Sequence, residues 1–155
     1  MSGEALTVGV VSDTHGLLRP EVTKAFEGVD LILHAGDMGK EDIVPRLKAE
    51  APVKAVRGNV DRGTWALAYP LTEALELGGL SLYMFHGHLE QDLDLDVFDV
   101  VISGHSHVPV NEKRGQTLYL NPGSAGPKRF HLPVSYAILT IRDGAAQATL
   151  IEISP

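Results

Sequence analysis

Five short apolar runs in this chain each stop at an Asp, an Asn or a His set beside a glycine. "VGVVSDTHG" ends in Asp13, His15 and Gly16, "LILHAGD" in Asp37, and "KAVRGN" in Asn59. "SLYMFHGH" ends in His86 and His88, and "DVVISGHSH" in His105 and His107. Runs of this length and composition read as buried strands. In sheet proteins with parallel strands, ligands bind beyond the carboxyl ends of the strands. Glycine at such an end lets the backbone turn sharply and come close to a ligand. The repetition therefore calls for a fold in which separate strands deliver polar groups to one place.

The segments between the runs narrow the choice. "RPEVTKAFEG" reads as a short helix, with Pro20 near its start and Gly28 just past its end. "KEDIVPRLKAE" has helical periodicity, with Pro45 kinking it or marking a late start. Strands separated by such helices imply βαβ units and a parallel sheet. The second half reads as hairpins, turning at Gly78–Gly79, near Gly115 and at Asp143–Gly144. The expectation is an α/β fold of two packed mixed β-sheets, a β-sandwich flanked by helices in four layers, spanning residues 1–155 as a single domain.

Composition sets bounds on function. The 155 residues suffice for a real core, and with no cysteine there are neither disulfides nor thiolate metal sites. The start, "MSGEALTVGVV", lacks the pattern of a signal peptide, and no apolar stretch approaches the ~18 residues of a membrane span. The expectation is a cytoplasmic protein with no membrane partner. A formal net charge of -7 argues against broad nucleic-acid binding but not against a small anionic substrate in a locally positive site.

Asp, Asn and His together suit divalent metal: manganese, iron, cobalt, nickel or zinc. Asp13 and His15, two apart, point the same way if the strand continues through them, and His105 and His107 repeat the spacing. Taken singly, an Asp after a strand is a turn or cap residue, and a lone His is a satisfied polar group. Five coincidences at equivalent strand ends make that reading untenable for the set. His34, before "AGD", suits a supporting or packing role, and His131 in "RFHLPV" a loop position.

"SDTHG", "HAGD", "RGNVD", "HGH" and "SGHSH", in this order, resemble the five blocks of the calcineurin-like metallophosphoesterases. The short length, the HGH block and "LNPGS" at 120–124 resemble the small prokaryotic YfcE-type phosphodiesterase branch. The resemblance runs from Val8 to about Ser124. It implies a metal site of Asp13, His15, Asp37 and His107, and a second of Asp37, Asn59, His86 and His105, with Asp37 shared. It also implies two divalent ions, manganese by family habit, and hydrolysis of a small phosphoester by a metal-bridging hydroxide. Asp13, Asp37 and the hydroxide offset three of the four cationic charges, which leaves a net positive cluster suited to a monoanionic phosphodiester. A neutral amide at Asn59 preserves that charge.

The wider family often writes its third block as G-N-H-[DE], whose histidine is thought to help protonate the leaving group. This chain has Val60 there, which cannot donate a proton. His88 is the candidate substitute and on that reading joins Asp37 and Asn59 in the catalytic set; the other reading makes it a residue that only supports the site. Asp61 loses the partner it would orient and reads as a turn residue. "NPGSAGPKRF" reads first as a turn, with Lys128 and Arg129 as solvated charges. "EQDLDLDVFD" reads as a solvated acidic helix or loop near the site rim, where it would discourage polyanions. Two rivals stand beside the phosphodiesterase: a phosphomonoesterase, and a protein-binding scaffold such as the retromer subunit of this fold. Free sheet edges leave room for a homo-oligomer.

Overall fold

The computed structural model describes residues 5–129 and 131–154. Glu4 of the first stretch and Phe130 of "NPGSAGPKRF" lie outside them. In chain order the regular elements are β1 (Leu6–Val11), α1 (Pro20–Ala25), β2 (Leu31–His34), α2 (Ile43–Lys48), β3 (Val53–Ala55), β4 (Thr72–Leu77) and β5 (Leu80–Phe85). They continue with β6 (Val100–Ile102), β7 (Val110–Arg114), β8 (Thr117–Asn121), β9 (Val134–Arg142) and β10 (Ala145–Ile153). Short 3-10 turns cover Thr64–Ala68 and Leu95–Val97. No helix among the described residues is long and apolar enough to cross a membrane.

Two five-stranded mixed sheets form, in the orders β10-β9-β1-β2-β3 and β4-β5-β6-β8-β7. Register brings the strand ends level. Val11 pairs with His34 and His34 with Ala55, so β1, β2 and β3 finish in one row. In the second sheet Met84 pairs with Ile102 and Ile102 with Leu120. The loops that follow these parallel strands all leave from the same edge of the sandwich.

The pleat decides the core. Alternate residues face the other sheet: Val8, Val10 and Leu33 from the first, Leu82, Met84, Val100, Ile102, Leu118 and Leu120 from the second. The opposite face of the first sheet, with Val11 and Ile32, buries Val22 and Phe26 beside α1 and Ile43, Val44 and Leu47 of α2. Pro45 sits in the first turn of α2, where its missing N–H has no intrahelical partner to lose, so the late start is the outcome. The hairpin turns Gly78–Gly79 and Asp143–Gly144 have positive φ at both residues, as a tight two-residue turn requires.

The fourth layer is thin. Both described α-helices pack on the first sheet. The second sheet's outer face carries the Leu95–Val97 turn, with Phe98 stacked on Tyr83 at 4.9 Å. The acidic stretch is bound to this face rather than left free: Asp99 accepts from the Ser81 N–H at 2.8 Å, and Tyr119 donates its hydroxyl to Asp96.

Candidate metal centre

The strand does not run on through Asp13 and His15. β1 ends at Val11, and both residues take left-handed backbone, with φ of 56° and 48°. The sequence expectation of two side chains aligned by strand pleat is therefore corrected: they converge because the chain curls, not because it stays extended. Asp37, His105 and His107 share the conformation, with φ of 59°, 70° and 65°. Non-glycine residues rarely adopt it, and it persists only where surroundings impose it. Here the surroundings are main-chain bonds between loops. Asp13 N–H donates to the Gly36 carbonyl at 2.9 Å, His15 N–H to that of Asp37 at 3.0 Å, and Gly104 N–H to that of His86 at 2.8 Å.

Two groups of donor atoms result, one of Asp13, His15 and His107 and one of Asp37, His86 and His105, each within 4.8 Å of one another. In the first, His107 Nε2 lies 3.4 Å from Asp13 Oδ1 and His15 Nε2 3.7 Å from it, while the two imidazole nitrogens are 3.4 Å apart. In the second, His86 Nε2 lies 3.1 Å from Asp37 Oδ2. The groups adjoin: Asp37 Oδ2 is also 3.7 Å from His15 Nε2, and Asp13 Oδ1 is 3.8 Å from His86 Nε2. Donors about 2.1 Å from a shared cation stand roughly 3.0–3.5 Å apart in octahedral or tetrahedral sets; the 3.1 and 3.4 Å spacings fall in that range and the 3.7 Å one just outside it.

Orphaned atoms point the same way. Asp13 Oδ1 and His86 Nε2 are buried with no hydrogen-bond partner. Leaving such atoms unpaired costs about 1–3 kcal/mol each. Asp13 Oδ2 is occupied, by the Ser12 hydroxyl at 2.7 Å and the His105 N–H at 3.1 Å, so only Oδ1 faces the site. Asp37 is divided likewise: Oδ1 accepts from the Val60 N–H at 3.1 Å and Oδ2 is turned inward. His86 Nδ1–H donates to the Ala35 carbonyl at 2.8 Å, which turns the Nε2 lone pair to the site, the tautomer a metal ligand needs.

Charge agrees. Burial alone would raise both carboxyls. At Asp13 the nearby His107, His15 and His86 and the Ser12 hydroxyl outweigh burial and hold the group well below the usual carboxylate range. At Asp37 burial is outweighed by His86 and the Val60 N–H, and the group is also lowered. Burial pulls the His86 imidazole down, but Asp37 and Asp13 raise it overall. Both carboxylates are thus ionised and ready for cations.

Several supports carry no signal in the local pattern. Asp61, read from the sequence as a turn residue, is a buried clasp between two donor loops. It accepts from the N–H groups of Met38 (3.2 Å) and Gly39 (2.9 Å), and from that of Gly58 (2.8 Å). His34 is fully buried. Its Nδ1 accepts from Gly36 N–H at 3.1 Å, so Nε2–H faces Thr14 Oγ1 at 3.0 Å, and the Thr14 hydroxyl donates to the Met38 carbonyl at 3.1 Å. Burial lowers the His34 pKa to about 4, so the ring stays neutral. Asn121, read as part of a turn, donates to the Gly104 carbonyl at 3.0 Å and to Ser106 Oγ at 3.2 Å, and so holds the loop of His105 and His107. Ser124 donates to the Asp13 carbonyl at 3.0 Å. Two glycines are sterically required: a Cβ at Gly58 would strike Asp37 Oδ1, and one at Gly104 would strike Ser12 Oγ.

The remaining sequence candidates divide. Asn59 is exposed, between Gly58, packed on Asp37, and Val60, bonded to Asp37, so it adjoins the second group. His88 lies beside that group, its ring 5.5 Å from His86 and 6.3 Å from His105, and its buried Nδ1 has no partner. Burial, with His86 and His105, lowers its pKa. Lys128 and Arg129 are exposed, Lys128 donating to the Leu132 carbonyl at 3.2 Å, and His131 is exposed in a turn.

Comparison with known proteins gives a consistent answer. Residues 6–144 match the family model described as the calcineurin-like phosphoesterase superfamily domain. A probable metallophosphoesterase of Methanothermobacter thermautotrophicus is 35% identical over 161 residues, covering 95% of this chain and 92% of that protein. Phosphodiesterase YfcE of Escherichia coli is 32% identical over 155 residues, covering 83% of this chain and 84% of that protein. A solved structure from Streptococcus pneumoniae, of a conserved uncharacterized protein described as a predicted phosphoesterase, superposes with a TM-score of 0.75 at 28% identity. That superposition covers 97% of this chain and 91% of the other.

Proposed function

The chain belongs to the calcineurin-like phosphoesterase superfamily, and from that premise we propose that it hydrolyses phosphodiesters with two divalent cations held between its sheets' ends. The observation that carries the reading is a pair of buried atoms without a hydrogen-bond partner, Asp13 Oδ1 and His86 Nε2, 3.8 Å apart, with Asp37 Oδ2 3.1 Å from the imidazole nitrogen. Asp13, His15 and His107 would hold one cation, and Asp37, His86 and His105 the other. Asn59 would complete the second set, and Asp37 would serve both. Bound there, such ions polarise phosphoryl oxygens, acidify water and stabilise in-line displacement at phosphorus.

The chain's own groups do the rest. The Val60 N–H and the Asp61 clasp fix Asp37 and its loop before substrate arrives. Position 60 thus keeps a main-chain role, although its side chain has no proton to give. His88, held neutral by burial and its imidazole neighbours, can offer the departing oxygen a hydrogen bond but not an acid's full proton. The name phosphodiesterase carried by the relative from Escherichia coli favours diesters as the substrate class.

Metal-stripped protein should be inert toward bis(p-nitrophenyl) phosphate and regain activity on adding manganese. Across a series of aryl diesters, the chemistry-limited rate should rise steeply as the leaving phenol becomes more acidic. A flat dependence would call for a full general acid. Silence with every transition ion would make the scaffold the better reading.

A further inference from the structure

We propose that a groove beside His86 and His88 is a subsite for an uncharged aromatic or apolar ester group of the substrate, a proposal that rests on the phosphodiesterase reading. The groove is lined by Leu71, Thr72, Phe85, His88, Leu89 and Glu90, and His86 forms the wall it shares with the second donor group. Thr72 and Phe85 are paired across β4 and β5, so its floor is the open end of a hairpin and not a loose loop. Leu71 and Leu89 are 40% and 49% exposed at its sides. Apolar side chains lining a groove that opens beside a polar centre are the ordinary walls of a small-molecule site.

The far wall is a built one. Gln91 accepts the Tyr83 hydroxyl and donates from Nε2 to the Leu89 carbonyl at 3.0 Å, so both ends of its amide are used in holding Leu89 in place. Tyr83 is itself packed against Phe85 and Phe98. The charge of the groove selects the occupant. No Lys or Arg lines it among the described residues, and Glu90 does. A second phosphate or a carboxylate would meet only negative charge there. Other loop residues next to the donors repeat the theme: Leu17, Val60 and Val108 are also exposed. The phosphate's charge is thus met at the centre, and its organic arm falls on apolar surface.

Diphenyl phosphate and dimethyl phosphate carry the same single charge and differ only in their arms. Calorimetry on manganese-loaded protein should find diphenyl phosphate bound about tenfold more tightly, the effect of burying part of one ring. The double variant Leu71→Ser, Leu89→Ser should bring the ratio close to one, and because both side chains are exposed the fold should survive, which circular dichroism checks. Equal affinities in the wild type, or a ratio untouched by the double variant, would overturn the subsite. A preserved ratio with no hydrolysis of bis(p-nitrophenyl) phosphate would instead leave the groove standing and remove the catalytic reading.

Discussion

Between the sheets, Leu82, Met84, Ile102 and Leu120 meet Val8, Val10 and Leu33 in an all-apolar cluster. One residue beyond β1 the composition inverts: Ser12, Asp13 and Thr14 are all polar and all buried. The body of the sandwich is held by burial, which acts wherever the register is right and needs no ligand. The loop layer is held by main-chain bonds between loops and by the Asp61, His34 and Asn121 contacts. It also carries left-handed backbone and orphaned charge that weaken it in isolation. One region is arranged to be stable, and the other is kept poised by it.

The sharpest way to break that contrast is to cross two substitutions. His105→Ala, at an exposed donor position, should cost on the order of a thousandfold in diesterase activity and less than about 1 kcal/mol in stability. Leu82→Ala, in the fully buried core, should do the reverse, costing about 2–5 kcal/mol by urea denaturation with activity near wild type while folded. If His105→Ala unfolded the protein, or Leu82→Ala silenced the folded enzyme, the two regions would not be separable.

A pH titration sharpens the loop side. His34 has its folded pKa lowered to about 4 against an ordinary 6.5, so the unfolded chain binds more protons between these values. Stability should therefore be full above pH 6.5 and fall as pH drops toward 4, by about 3 kcal/mol. In metal-free protein His86, whose pKa is raised, works in the opposite sense, and the lowered Asp13 and Asp37 contribute only below about pH 4. Comparison with His34→Gln isolates the effect. The variant carries an acceptor and a donor but cannot titrate, so whatever its stability at pH 7, its denaturation midpoint should change less between pH 7 and 4.5. An identical pH profile would remove His34 from this role.

The smallest effect concerns the clasp. Asp61→Asn replaces one acceptor oxygen with a donor, so the N–H groups of Met38, Gly39 and Gly58 can no longer all be satisfied. Manganese affinity should fall roughly 10–100-fold, the range seen for groups that orient ligands. Unchanged affinity would make Asp61 the simple turn residue its sequence suggests.

Strands and their polar ends were legible because alternation, glycine and Asp or His spacing are local signals. The donor pairs Asp13/His15 and His105/His107 could be named from spacing, yet not how they point. Their left-handed backbone arises from loop-to-loop bonds with no periodic trace. Asp61 reaching Met38, Thr14 reaching His34 and Asn121 reaching Gly104 are contacts 23, 20 and 17 residues apart, invisible to any window. The packing of the acidic stretch was not legible for a similar reason: Phe98 stacks on Tyr83, 15 residues away, where the pattern reads only as a solvated helix or loop.

The central claim is that two adjoining sets of side chains each grip a divalent cation. Anomalous diffraction from crystals grown with manganese measures this directly. It should give two peaks, one within bonding distance of Asp13, His15 and His107 and one within bonding distance of Asp37, His86 and His105. A map with no peak among these residues at saturating manganese would contradict it.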